Sequence, residues 1–286
     1  MVQKNTNTNI EFEQIEAVKL VGVWTSFWNT IKQKLFLYIV LPIIFFVPVM
    51  FLGIKYHDAN SFVLAVFFPF VLYFFIYRSL MEKFMKCFAF RAGFNYEKTA
   101  KINSVEGTLF NNKQLPTISE VVSGLYYNHE TRFFIFSTVE GSGEYRKIKY
   151  YSVLEIKFDM MLPDIVLNNK ENFFGSNPLI FVNEKKMKLE GDFDKYFDIY
   201  APDEFEIEVL QIFTPEIMQI FINKTKDFNM EIYKNKVYIY HNSRINNEDG
   251  IVSMYDLAKD IIQKLGSIFE SMKSDVEAME KYYKLT

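Results

Sequence analysis

The sequence predicts an α+β protein in which an N-terminal amphipathic helix and a two-helix transmembrane hairpin precede a mainly antiparallel sheet domain with a long C-terminal helix. Three observations lead to this fold class. Two long apolar runs lie within the first 77 residues. Stretches of alternating apolar and polar residues follow between 106 and 250, and this period is typical of antiparallel strands. Residues 251–286 carry apolar side chains at helical spacing.

The chain begins with a polar segment, residues 1–10, which we expect to be disordered. Residues 11–34 predict an amphipathic helix because their apolar side chains recur three and four positions apart. Trp24 and Trp28 lie one turn apart on this helix, and tryptophan favours the headgroup zone of a bilayer. We therefore expect this helix at the membrane interface, with docking onto the sheet domain as the alternative.

The two apolar runs predict transmembrane helices. Residues 35–54 contain no charge, and a helix of that length crosses a hydrocarbon core of about 30 Å. The second run covers 61–77. A cleaved signal peptide is disfavoured because such peptides begin near the N-terminus and end in small residues. Neither run contains a charged group of the kind that transport pathways place at mid-depth, so we expect an anchor, and a pore only if copies assemble around one.

Basic residues predict the orientation of this hairpin. Lys32 and Lys34 precede the first run, and Arg78 and Lys83 follow the second, whereas the connecting loop holds only Lys55. Because basic residues stay on the cytoplasmic side, we expect both termini in the cytoplasm and the chain in the plasma (inner) membrane. The next segment, 78–105, is expected to be a juxtamembrane helix or linker.

Composition limits the function classes. The chain is 18% aromatic, with 31 Phe and 18 Tyr, so it has enough apolar surface for a large core. Acidic residues outnumber basic ones after residue 91, 30 to 23, which disfavours nucleic-acid binding because phosphates require positive charge. Cys87 is alone in the sequence, so an intrachain disulfide and a multi-thiolate zinc site are excluded.

The region 106–250 predicts two hairpins. Residues 132–139 and 147–158 alternate around a glycine turn, which predicts an antiparallel pair with one solvated face. Residues 230–239 predict a second hairpin that turns at Lys234 and Asn235. Between the hairpins, the sequence Thr214-Pro215-Glu216 is typical of a helix start, because Thr caps exposed N–H groups and Pro fits the first turn.

The C-terminal segment, 251–286, predicts a helix with one apolar stripe. The stripe residues are spaced three and four apart in an eleven-residue repeat, which follows a nearly straight helix. They are Met254, Leu257, Ile261, Leu265, Ile268, Met272, Val276 and Met279. Packing on its own domain explains the first half of the stripe, and self-association is the alternative for the second half.

An acidic segment, residues 190–208, is the strongest candidate binding site in the sequence. Its eight carboxylates surround a single lysine, Lys195, and aromatic side chains are interleaved with them. We expect a basic protein partner to contact Asp192, Phe193, Asp194, Tyr196, Phe197 and Asp198. A solvated acidic edge with aromatic residues in the core is the alternative. A metal site is disfavoured because no loop with spaced ligands follows the carboxylates.

Residues 189–200 (LEGDFDKYFDIY), followed by 214–218 (TPEIM), resemble an uncharacterised bacterial family of membrane proteins. Members of that family have two adjacent N-terminal spans and a cytosolic α+β domain. The resemblance covers about 125–240 and implies this fold and placement, without an activity. The turn at Lys234 and Asn235 departs from the Asp-Gly type that the family pattern has there.

The sequence contains no nucleotide-binding loop, zinc-protease motif or nucleophile elbow. We therefore expect no catalytic residues, no cofactor and no metal. The predicted function is that of a membrane-anchored cytosolic interaction domain, with the bilayer, a protein partner or a second copy of the chain as partners and no nucleic acid. The alternative is a membrane-bound small-ligand sensor or metal-dependent enzyme that uses 190–208.

Overall fold

The computed structural model describes most of the sheet domain and little of the predicted membrane region. The predicted interfacial helix at 11–34 lies outside the described residues, and so do both predicted spans apart from Phe51. Among the described residues, no helix is both long and apolar enough to cross a membrane. The residues described are 9–10, 51, 55, 78–111, 113–141, 143–170, 184–189, 191–224, 227–269 and 271.

The chain forms two compact units. The larger unit takes its described residues from 89–245 and from 249 onward, together with Asn9 and Ile10. The smaller unit includes 78–88 and 246–248. The sheet, the helices on it and the candidate site described below lie in the larger unit.

The predicted linker at 78–105 contains both a helix and a strand. Residues 78–91 form helix α1, and strand β2 (Asn95–Ala100) begins four residues later. Gly93 stands between them with φ of +71°, a left-handed conformation that glycine adopts without strain and that ends many helices. The segment is therefore not only a linker, because its second half is a strand of the sheet.

The first hairpin is confirmed and is longer than the pattern predicts. Strands β3 (Gln114–Tyr126), β4 (His129–Glu140) and β5 (Lys147–Lys157) are consecutive antiparallel neighbours. Strand β2 pairs with β3 on its other side. Strand β1 (Asn9–Ile10), at the end of the segment expected to be disordered, also pairs with β3, in parallel.

Among the described residues, five short strands continue the sheet beyond β5. The second hairpin consists of β9 (Asn229–Tyr233) and β10 (Lys236–His241), and its register pairs Val237 with Ile232, as the sequence predicts. The remaining strands are β6 (Ile165–Asn169), β7 (Glu184–Met187) and β8 (Phe197–Pro202). Along the sheet the order is β1, β3, β4, β5, β10, β9, β6, β8 and β7, with β2 on β3.

Helix α2 (Phe193–Tyr196) precedes β8, and further helices follow β8 and β10. Helix α3 (Glu206–Ile212) comes first, and helix α4 (Pro215–Lys224) begins at the predicted start signal. The Thr214 hydroxyl accepts a hydrogen bond from the Ile217 N–H at 3.4 Å, which is the predicted cap. Helix α5 (Glu248–Asp260) begins the C-terminal helix, and Lys224 at the end of α4 pairs with two of its aspartates.

The C-terminal stripe is confirmed up to Leu265 and then moves by one position. Residues Ile261–Leu265 form a π turn, which adds one residue to a helical turn. Phe269 is consequently buried, 1% exposed, whereas the predicted Ile268 is only half-buried. The ring of Phe269 contacts Phe158 with centroids 5.3 Å apart. The later stripe residues, from Met272, lie outside the described residues.

The sheet is covered on both faces, which corrects the prediction of a solvated face on β5. One face, the helix face, carries Leu154 and Ile156. On the other face, residues 102–111 form a covering segment that we call the strap. Strap residues Val105, Leu109 and Phe110 pack in one cluster with aromatic residues of β4, β5 and β10. Alternation in one strand cannot reveal this cover, because the strap comes from elsewhere in the chain.

Candidate functional site

The aromatic residues of the acidic segment belong to the core. Helix α2 (Phe193–Tyr196) is one short turn that leads into β8. Phe193 and Phe197 are 1% and 2% exposed, and their rings stack with centroids 4.9 Å apart. Phe213 and Phe221 extend the same cluster. The prediction that Phe193 and Phe197 are partner contacts is therefore corrected: burial holds them inside the domain.

Some carboxylates of this segment are paired with lysines, in part from other strands. Asp198 contacts Lys170 at 3.0 Å and Lys186 at 2.7 Å. Asp192 contacts Lys195 at 2.7 Å. These contacts place cations from the end of β6 and from β7 on a segment that has only Lys195 in its own sequence. The segment is therefore much less negative in three dimensions than its composition indicates.

Three further predicted site residues differ in exposure. Tyr196 remains 37% exposed, and the side chain of Asp192 is 70% exposed. Asp194 faces its own loop, where its carboxylate accepts a hydrogen bond from the Leu189 N–H at 3.4 Å. Only Tyr196 and Asp192 therefore stay available for the partner contact that the sequence predicts.

The predicted membrane-interface residues are only partly described. Trp24, Trp28, Lys32 and Lys34 lie outside the described residues. Arg78 and Lys83 are both exposed on α1. Their positions are compatible with the predicted interfacial role, which stays a prediction.

A charged cleft of about 470 Å³ opens at one end of the strap face. It lies where β2, β3, β4, β5 and β10 run side by side. The strand register places Ser123, Arg132 and Glu155 opposite one another on three neighbouring strands. The residues that line it are Gly93, Asn95, Ser104, Ser123, Gly124, Leu125, Glu130, Thr131, Arg132, Glu155, Lys157 and Lys236.

One carboxylate at the floor of this cleft forms ion pairs with two cations. Glu155 contacts Arg132 at 2.9 Å and Lys236 at 3.5 Å, and these three side chains are only 10%, 18% and 21% exposed. At the rim, Lys157 pairs with Glu130 at 2.8 Å, and this contact raises the pKa of the lysine. The lining therefore has three cations and two carboxylates, a surplus of one positive charge.

Arg132 also ties the strap to the sheet. Its two terminal nitrogens donate to the hydroxyl and the carbonyl oxygen of Ser104, each at 3.0 Å. Its guanidinium lies 5.2 Å from the ring centroid of Phe134, within cation–π range. Its Nε–H is buried and has no hydrogen-bond acceptor among the described residues. Arg132 is thus a well-fixed cation in the lining of the cleft.

A second contact ties the strap to the sheet through Glu231 of β9. Glu231 is fully buried, and its two oxygens accept hydrogen bonds from the backbone N–H groups of Thr108 at 2.5 Å and Leu109 at 3.2 Å. Gly107 is needed there, because a Cβ at this position would lie 2.8 Å from the Glu231 carboxylate. Burial raises the pKa of Glu231 to about 7, and the two N–H donors lower it in part.

Sequence reasoning missed the cleft because its residues are spread from 93 to 236. No local motif links Arg132, Glu155 and Lys236, and each looks like an ordinary solvated charge in an alternating strand. The available signal was a charge of each sign at matching positions of neighbouring predicted strands. Among the described residues, no group of three or more metal-ligating side chains is close enough to hold a metal ion.

Comparison with known proteins gives one distant structural likeness. No family model and no curated protein sequence matches this chain. The crystal structure of the mycobacterial trehalose monomycolate transport factor A, TtfA, is similar over 64% of this chain and 94% of that chain, with 13% identity and a TM-score of 0.48. This likeness concerns the fold alone. The resemblance to a two-span membrane family stays a prediction.

Proposed function

We propose that this chain is a membrane-anchored binding protein without catalytic activity, and that the charged cleft is its binding site. The two apolar runs at 35–54 and 61–77 supply the anchor, and the basic residues around them favour a cytoplasmic sheet domain. The proposal keeps the predicted interaction role. It moves the main binding site from the acidic segment to the cleft.

The observation that carries this proposal is the concave, charged shape of the cleft on a rigid floor. Its volume of about 470 Å³ falls within the range of roughly 300–1,000 Å³ that ligand sites have. Its floor side chains come from β4, β5 and β10, so strand pairing fixes their positions. A rigid floor reduces the entropy that a ligand must offset when it binds.

The acidic segment supplies a second candidate surface for a protein partner. Tyr196 and Asp192 are exposed there, and Ile207 and Leu210 on α3 are 69% and 55% exposed. These two apolar residues lie one turn apart, next to Glu206 and Glu208. Apolar side chains beside carboxylates suit a partner that presents apolar and basic residues.

Site-directed crosslinking in native membranes tests the two surfaces against each other. A photocrosslinker is attached to the full chain at Asn95→Cys, an exposed residue of the cleft lining, or at Asp192→Cys in the acidic segment. Both variants carry Cys87→Ser, because Cys87 is exposed. Gln219→Cys, exposed on α4, is the control position. We expect an adduct at position 95 above the level at 219.

The outcomes separate the candidates. An adduct at 192 alone would favour the acidic segment, and equal labelling at all three positions would contradict a specific binding role. Alkaline carbonate extraction of the same membranes tests the anchor. Release of the chain into the supernatant would contradict it, whichever position crosslinks.

A further inference from the structure

We propose that the cleft binds a phosphate group, and that Arg132, Lys157 and Lys236 are its recognition residues. This inference rests on the proposed binding role and names the ligand chemistry. The surplus of one positive charge in the lining is its starting point. A bound anion balances that charge, and the cations are well placed to receive it because the carboxylate of Glu155 is shared between two of them.

The donors in the cleft suit a tetrahedral anion better than a planar one. A carboxylate is bound most strongly by two parallel N–H donors of one arginine. The terminal nitrogens of Arg132 already donate to Ser104 and Glu155. This leaves the ammonium groups of Lys157 and Lys236 as donors at separate points, and Arg132 contributes its charge. A phosphate accepts single hydrogen bonds from several directions, so it matches this arrangement.

The rest of the lining favours the polar part of a ligand. Asn95 and Ser123 add neutral hydrogen-bonding groups on neighbouring strands, whereas Leu125 is the one large apolar side chain among the lining residues. The cleft therefore fits a phosphate-bearing headgroup or a small phosphate ester, with any hydrocarbon portion left outside.

Asn95 enters the sheet opposite Ser123, and Ile10 pairs with Tyr126 at the same end of β3. The phosphate can come from a lipid headgroup or from a soluble compound. The test therefore has one arm for each source.

Calorimetric titration of the full chain in a nonionic detergent provides the test. The probes are inorganic phosphate, dihexanoyl phosphatidic acid and acetate. We expect saturable binding of phosphate and weaker binding of acetate. Lys236→Gln should weaken phosphate binding about tenfold, the usual effect of losing one charge-assisted hydrogen bond. Ser123→Leu, which fills the cleft, should abolish it.

The matched control is Lys185→Gln, which removes an exposed lysine from the sheet edge beside Asp203 and should leave binding unchanged. Thermal unfolding of each variant checks that the fold is retained.

Binding of both phosphate probes, with the lipid tighter, supports a lipid source, and binding of inorganic phosphate alone supports a soluble one. No phosphate binding, equal binding of acetate, or full binding by folded Ser123→Leu overturns the inference. A cleft crosslink without phosphate binding would leave the binding role intact and refute only the ligand class.

Discussion

The cleft and the acidic segment use the same ionic arrangement with different consequences. In each, one carboxylate lies between two cations: Glu155 in the cleft, and Asp198 between Lys170 and Lys186 in the acidic segment. The two cations that contact Glu155, Arg132 and Lys236, are 18% and 21% exposed, whereas Lys170 and Lys186 are 34% and 48% exposed. The strap causes this difference, because it borders the arrangement around Glu155 and makes that site concave. The density of charges along the sequence pointed to the acidic segment, whereas the concave shape of the cleft identifies the candidate binding site.

The largest expected effect comes from the aromatic residues of the acidic segment. Phe197→Ala should lower the free energy of unfolding by about 3–5 kcal/mol, because it leaves a cavity beside Phe193 and Phe221. The neighbouring Tyr196→Ala is the matched control and should change it by less than about 1 kcal/mol, since Tyr196 is 37% exposed. Denaturant titration in detergent measures both. Equal losses would contradict the assignment of Phe197 to the core.

Glu231 extends the comparison to a carboxylate held by backbone N–H groups. Its pKa of about 7 in the folded chain lies above its ordinary value of 4.5. The folded state thus holds the proton more tightly than the unfolded chain. Protonation of Glu231 therefore contributes about 3 kcal/mol to the free energy of unfolding. This contribution is fully present below about pH 4.5 and is lost as the pH rises through about 7.

Glu231→Gln isolates this effect because glutamine does not titrate. The unfolding free energy of the natural chain minus that of the variant should fall by about 3 kcal/mol between pH 4.5 and pH 8. Denaturant titrations at several pH values measure the difference. Parallel pH curves for the two chains would show that Glu231 does not titrate in this range.

Paired substitutions of the two shared carboxylates test the comparison directly. Glu155→Gln should cost about 2–3 kcal/mol, because Arg132 and Lys236 then lose a charged partner in a poorly solvated site. Asp198→Asn should cost about 1 kcal/mol or less, because its lysines reach solvent. Thermal or denaturant unfolding measures both. A larger loss for Asp198→Asn would reverse the ranking of the two sites.

The smallest effect is expected at the exposed sheet edge. Lys185 and Asp203 are 3.5 Å apart, with side chains 64% and 75% exposed. Solvent and salt screen such a pair. Lys185→Ala should therefore leave the unfolding midpoint unchanged within error. A measurable loss would mean that the acidic segment depends on its lysines more than their exposure indicates.

Local patterns in the sequence determined much of the fold. The α+β class, the hairpin that pairs Ile232 with Val237, the Thr214 cap and the helical stripe up to Leu265 all follow from periodicity and turn chemistry. These features depend on residues within a few positions of each other, so the local sequence is sufficient to predict them. The apolar runs at 35–54 and 61–77 also predict membrane helices, although they lie outside the described residues except for Phe51.

Only the tertiary structure decided what covers the sheet and where the candidate site lies. The strap buries the second face of β5, and the π turn moves the stripe from Ile268 to Phe269. Strand register brings Arg132 beside Glu155 and Lys236. Each of these outcomes depends on contacts between distant parts of the chain. Periodicity within one segment cannot specify them, because the free energy of burial depends on which other segment supplies the cover.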